Sequence, residues 1–342
     1  MNIVITARRG WRALLALTVV AAFAWIMQVG AAPARTPHVP VRPAAPAGDA
    51  AAADPAFQVL PLDWQDRSRD RAVPALLYWP RPAQHRSRSL VVFSHGLGSA
   101  RDGYSYLGRF WARQGIASLH VQHVGSDRAL WEGNPAGLHE RFRKAASDAE
   151  AIARAQDMSF ALDQLLASAF GAQIDPAGMV AAGHSYGANT TLLLAGARVS
   201  RAGRIVDVHD PRFSAAILIS APPFYGEPEQ AAILSGIAIP TLHITTTDDQ
   251  ILIPGFESGV LDRRRVFDAM RGFKVLAVYR HGSHNVFTER RYFDSVAVTN
   301  EVKSATESLT LAFLKEVLVS QPALRDWARA HPTLLADYVV RH

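Results

Sequence analysis

Cysteine is absent from this chain of 342 residues. Its absence excludes disulfide bonds, a thiolate nucleophile and thiolate metal sites. The chain also lacks a strong charge of one sign, with a formal net charge of +6. No run of Lys and Arg with interleaved aromatic residues indicates a phosphate-binding surface, so a nucleic-acid partner is not expected.

Long hydrophobic runs are scarce, and the one that matters here occupies residues 13–29. Arg8, Arg9 and Arg12 precede this run and small residues follow it, which predicts a secretory signal over residues 1–31 and a periplasmic or secreted protein. Its removal takes away three arginines and no acidic residue, which lowers the formal charge from +6 to +3. The alternative is an uncleaved membrane anchor, because about 17 apolar residues fall just short of a comfortable span.

The rest of the chain divides by composition. Residues 32–56 are rich in Ala and Pro, which predicts a disordered linker. Residues 57–320 alternate apolar runs of strand length with helical patterns, which predicts one α/β catalytic domain with a mostly parallel sheet and helices on both faces. Residues 321–342 are expected to form a short helical tail.

A Gly-x-Ser-x-Gly pattern places Ser185 between Gly183 and Gly187, after an apolar run and before a helical pattern. A serine on such a strand-turn-helix is exposed at the end of a sheet, which makes Ser185 the candidate nucleophile. The backbone N–H of Tyr186, the next residue, is then one candidate donor to an oxyanion. The alternative is a serine that only caps the helix.

Glycines follow another buried run in residues 94–99, whose sequence is Ser-His-Gly-Leu-Gly-Ser. Glycines at a strand end let an amide N–H point into a cleft, so the N–H of Leu97 is the second candidate oxyanion donor. The alternative is an ordinary glycine-rich turn.

Two aspartates and two histidines compete for the remaining roles. Asp248 and Asp249 follow one strand pattern, and Asp249 is preferred because a small turn precedes it and an aliphatic residue follows two positions later. His281 and His284 follow the last strand pattern. His284 is preferred because the turn at Gly282 can bring it back over the sheet.

The order Ser185, Asp249, His284 is the order of α/β-hydrolases, in which serine attacks, histidine takes its proton and aspartate orients the imidazole. This chemistry needs no metal and no cofactor. Trp131, Phe224, Tyr225 and Phe287 could line an apolar pocket, although aromatic residues near strand ends also serve as core.

The phrases Phe-Ser-His-Gly-Leu-Gly at 93–98 and Gly-His-Ser-Tyr-Gly at 183–187 resemble those of the secreted platelet-activating factor acetylhydrolases and their bacterial relatives, the predicted dienelactone hydrolases. Residues 102–104, 122–127 and 160–165 add to the likeness. The resemblance implies an α/β-hydrolase acting on carboxylic esters, with Leu97 and Tyr186 as oxyanion donors. True dienelactone hydrolases use cysteine, which this chain lacks.

We therefore expect a serine hydrolase that cleaves small-molecule or lipid-like esters with short or medium acyl chains. A peptidase or amidase could use the same three side chains. A protein that binds ligands without catalysis is the alternative from another class.

Overall fold

The structure is a computed structural model that describes residues 54–81, 88–201, 203–227, 229–290 and 294–342. The predicted signal at 1–31 and most of the predicted linker lie outside the described residues. The first strand begins at Phe57, where the sequence was expected to become globular.

A large, mostly parallel sheet organises the chain. The strands, in chain order, are β1 (Phe57–Asp66), β2 (Arg71–Pro80), β3 (Arg88–Ser94), β4 (Ala117–Val121), β5 (Ile174–His184), β6 (Val199–Arg201), β7 (Arg204–Val206), β8 (Ala215–Ile219), β9 (Thr241–Thr246), β10 (Lys274–Tyr279) and β11 (Leu335–Arg341). In the part of the chain that the structure describes, nine of these form one sheet in the order β1-β2-β4-β3-β5-β8-β9-β10-β11. The run from β4 to β10 is parallel, and antiparallel strands close both ends.

Helices cover both faces of this sheet, which confirms the predicted α/β class. They are α1 (Ser105–Arg113), α2 (Leu138–Ala145), α3 (Asp148–Leu166), α4 (Tyr186–Leu194), α5 (Gln230–Leu234), α6 (Val260–Ala269), α7 (Val296–Val319) and α8 (Leu324–Ala330). Among the described residues, none of the helices has the length and apolarity needed to cross a bilayer.

The continuous apolar runs of the central strands follow from burial on two sides. Successive side chains of a strand point to opposite faces. In β3, Val91 and Phe93 pack on the face covered by α1 and α7, whereas Leu90 and Val92 pack on the face covered by α3. Both faces are therefore apolar, as is usual for parallel strands.

The C-terminal tail differs from its prediction as a helical segment. Residues 324–330 are helical, but residues 335–341 form β11, which pairs antiparallel with β10. Trp327 of α8 is 7% exposed and packs in the same core cluster as Phe313 of α7. The segment is thus part of the domain, because it covers an edge strand and buries apolar surface that would otherwise face water.

Replacing Trp327 by Ala tests this integration. We expect the free energy of unfolding to fall by about 3–5 kcal/mol, because a large core side chain is removed. Its Nε1–H also donates to Ser308 Oγ at 2.8 Å, and this bond is lost as well. Urea denaturation measures the change, and the exposed Arg325→Ala on the same helix is the control. Equal, small effects of the two variants would contradict the assignment.

Candidate active site

Ser185 stands at a sharp turn between β5 and α4, with φ of 55° and ψ of −122°. The two flanking glycines are required by close approach. A Cβ at Gly183 would lie 2.2 Å from the carbonyl oxygen of Gly187, and a Cβ at Gly187 would lie 2.0 Å from that of Ser94. The turn is tied to the sheet because the N–H of Ser185 donates to Ile219 at 2.9 Å. The left-handed backbone lifts the serine out of the strand and leaves it partly exposed.

The three predicted side chains form a hydrogen-bonded chain in which His284 contacts both Ser185 and Asp249. Ser185 Oγ is 2.7 Å from His284 Nε2, and His284 Nδ1 is 2.7 Å from Asp249 Oδ1. They follow β5, β10 and β9, whose carboxyl ends meet at one sheet edge because these strands are parallel. The structure therefore brings together what lies 99 and 35 residues apart in the chain.

Asp249 is fully buried yet held as a carboxylate. Burial by itself raises its pKa, but the charges of His284 and Arg263 and hydrogen bonds from His284 and Thr245 outweigh burial and hold the pKa well below its usual range. Thr245 Oγ1 donates at 2.6 Å, and Arg263 lies 3.3 Å away. A carboxylate can only accept, so Nδ1 of His284 carries a proton and Nε2 is free to accept from Ser185.

The rejected alternatives form a separate pair at the surface. His281 Nδ1 lies 3.6 Å from Asp248 Oδ2, and their side chains are 73% and 60% exposed. Neither makes a hydrogen bond to Ser185 among the described residues. The geometry thus favours Asp249 and His284 over Asp248 and His281.

Leu97 and Tyr186 border the same cavity as Ser185, and their backbone N–H groups have no acceptor within the described chain. Hydrogen bonds hold the backbone next to Leu97 in place. The carbonyl of Gly96 accepts from His95 Nδ1 at 2.7 Å and from the N–H of Ser99 at 3.1 Å. Because the C=O of Gly96 and the N–H of Leu97 are opposite ends of one planar peptide, these bonds fix the direction of that N–H.

A chain of hydrogen bonds, each with a defined donor and acceptor, lies beneath the site. The sequence prediction missed it. The N–H of Gly96 donates to Tyr104 Oη at 3.1 Å, and Tyr104 donates to His184 Nδ1 at 2.8 Å. His184 Nε2 then donates to the carbonyl of His284 at 3.1 Å. Burial raises the pKa of Tyr104 to about 12 and lowers that of His184 well below its usual value, so both stay neutral. His184 occupies a variable position of the Gly-x-Ser-x-Gly motif, so the motif did not indicate a role for it.

A cavity of about 520 Å³ opens onto Ser185. Its lining includes Trp131, Phe224 and Tyr225, as expected. Further apolar lining comes from Phe142, Ile251, Leu252, Ile253 and Phe256. Its size and largely apolar wall are those of a small-molecule site.

The prediction for Phe287 was wrong. Its side chain is fully buried in the core, where its ring lies 5.7 Å from that of His184. The chain turns inward after His284, and burying a large aromatic side chain beneath the site stabilises the turn.

No group of three or more His, Asp or Glu side chains in the described parts of the chain could hold a metal ion. Comparison with family models and with curated proteins gave no match. Function is therefore inferred from the geometry of the site.

The depressed pKa of Asp249 makes stability depend on pH. A carboxyl whose folded pKa is lowered contributes stability that is present above its unfolded pKa of about 3.9 and is lost as pH falls. Asp249→Asn should flatten the dependence of the unfolding free energy on pH between about pH 5 and 2.5, measured by urea denaturation at several pH values. The exposed Asp248→Asn should keep the wild-type slope. A common slope for all three proteins would contradict the prediction.

Proposed function

We propose that this chain is a serine-dependent carboxylic ester hydrolase with an α/β-hydrolase fold. The observation that carries the proposal is the hydrogen-bonded chain from Ser185 through His284 to buried Asp249, opening on an apolar cavity. The strand order supports the fold assignment, because β4 lies on one side of β3 and β5 on the other, so the order in which successive strands are added reverses at β3.

The first half of the reaction forms an acyl-enzyme. Ser185 Oγ attacks the ester carbonyl carbon while His284 Nε2 takes the hydroxyl proton. The carbonyl oxygen becomes an oxyanion and accepts from the N–H groups of Leu97 and Tyr186. The tetrahedral intermediate then expels the alcohol, which receives the proton from His284.

The second half regenerates the enzyme. Water gives a proton to His284 as its oxygen attacks the acyl carbon, and the carboxylic acid leaves as Ser185 recovers its proton. Asp249 stays ionised throughout and stabilises the imidazolium formed in both halves. No metal or cofactor takes part in the proposed steps.

Two other functions are consistent with the fold. An amidase or peptidase uses the same three groups, and the apolar wall of the cavity favours esters of apolar acids over peptides. A ligand-binding protein needs no nucleophile, whereas here Ser185 and His284 are in contact. Export as a periplasmic or secreted protein and the resemblance to the platelet-activating factor acetylhydrolase group remain predictions from the sequence.

Covalent labelling tests the nucleophile. A fluorophosphonate probe should label the wild-type protein and Ser235→Ala, in which an exposed serine is removed, because both keep the activated hydroxyl. Ser185→Ala should not be labelled. Gel fluorescence and intact mass measure the result, and an unlabelled wild type would favour the binding protein.

The cavity predicts a preference for longer acyl chains. Along a series of p-nitrophenyl esters from acetate to octanoate, kcat/KM should rise by up to about fourfold per added methylene until the cavity is filled. Phe224→Ala should reduce this gain and leave acetate hydrolysis nearly unchanged. Phe170→Ala, which removes an aromatic ring packed on Trp79 away from the cavity, is the matched control. An unchanged series in Phe224→Ala would contradict the assignment of the acyl pocket.

A further inference from the structure

Arg154 of α3 is the largest charged side chain that is completely buried in the described structure. Its Nε donates to Thr190 Oγ1 at 3.0 Å and its Nη1 to Ser126 Oγ at 2.7 Å. Its Nη2 donates to Ser94 Oγ at 3.0 Å and also to the carbonyl of His95. The mechanism proposed above uses none of these contacts.

These contacts join the two sides of the oxyanion hole. His95 lies two residues before Leu97, the donor after β3, and Arg154 holds its carbonyl. On the other side, the guanidinium lies 4.4 Å from the centre of the Tyr186 ring, and Thr190 is one turn further along α4. Thr190 Oγ1 itself donates to the carbonyl of Tyr186 at 3.1 Å. One planar group therefore contacts both segments that supply an N–H.

A second Ser-His-Asp chain fixes Arg154 from behind. Ser94 Oγ lies 2.9 Å from His123 Nε2, and His123 Nδ1 donates to Asp157 at 3.0 Å. All three side chains are fully buried, so this serine cannot reach a substrate. Burial and the nearby arginines lower the pKa of His123 well below its usual value, so it is neutral and Ser94 donates to it. Ser94 Oγ then accepts from Arg154.

The charge of Arg154 is not neutralised by direct contact. Among the described residues, Arg154 forms no ion pair with a carboxylate. Ser126 Oγ lies between Arg154 and Glu150, accepting from Arg154 and donating to Glu150 at 2.9 Å. Glu150 and Asp157 are instead paired with Arg71 at 2.9 Å each. A guanidinium stays charged even when buried, so a fixed positive charge lies behind the oxyanion hole.

We propose that Arg154 is a positioning residue that holds the N–H groups of Leu97 and Tyr186 at the spacing an oxyanion requires. This inference rests on the ester hydrolase function proposed above. The donors are then set in advance of the reaction, which is the condition under which an oxyanion hole lowers the barrier most. The second Ser-His-Asp chain serves to orient Arg154.

Arg154→Met, Arg154→Lys and Thr190→Val test the proposal in the full chain. Fluorophosphonate titration first gives the fraction of active sites. Per active site, Arg154→Met should lower kcat at least about tenfold and weaken binding of an alkyl trifluoromethyl ketone by the same factor, because both depend on the oxyanion. KM and the affinity for the matching secondary alcohol, which forms no oxyanion, should change by less than about twofold. The kcat and ketone affinity of Arg154→Lys should lie between those of Arg154→Met and the wild type, because lysine keeps the charge.

Arg212→Met is the control, because Arg212 also donates several hydrogen bonds, in its case to the carboxylates of Asp210 and Asp163, but lies away from the site. It should lower the melting temperature and leave kcat per active site unchanged. If Arg154→Met does not fold, Arg154→Lys and Thr190→Val decide by the same comparison.

Unchanged ketone affinity per active site in the folded variants would overturn the proposal, as would an equal loss of affinity for the alcohol. A wild-type protein that is not labelled and cleaves no ester would instead overturn the proposed function.

Discussion

The left-handed backbone of Ser185 is the constraint on which the site depends. Such a conformation costs a non-glycine residue about 1–3 kcal/mol and persists only where the surroundings enforce it. Here β5, β8 and α4 enforce it through the bond from Ser185 to Ile219 and the close passage of Gly183 against Gly187. Because Gly187 also packs against the end of β3, the same turn sets the distance between the nucleophile and the loop that carries Leu97.

Two buried charges of opposite sign then flank this turn. In the proposed reaction the imidazole beside Asp249 gains a positive charge. Negative charge develops in the proposed oxyanion hole, and Arg154 lies behind it. Burying either ion is costly, and each is stabilised by several hydrogen bonds. The cost of burying both ions is therefore already included in the stability of the folded protein, and the proposed reaction requires no reorganisation of them.

The sequence was sufficient to predict the site residues whose position follows from a local pattern. Ser185, Asp249 and His284 each follow an apolar run of strand length, and parallel strands gather such ends at one edge. The predictions that Phe287 lines the pocket and that residues 321–342 form a helical tail were wrong for a common reason. A local pattern does not reveal which way a side chain points after a turn, or which strand a C-terminal segment pairs with. Arg154 gave no signal, because its partners come from segments near residues 94, 126 and 190 and meet only in the folded chain.

In the proposed hydrolase, chemistry and specificity are carried by different parts of the chain. The reacting groups stand at strand ends, where the sheet fixes their positions to within hydrogen-bonding geometry. The walls of the cavity come from segments beyond the strands, with Trp131 after β4, Phe224 after β8 and Phe256 after β9. Loops tolerate substitution better than the elements that they connect. In the proposed hydrolase, substitutions in the cavity wall can therefore change which acyl group is accepted, while Ser185, its turn and the two buried charges stay as they are.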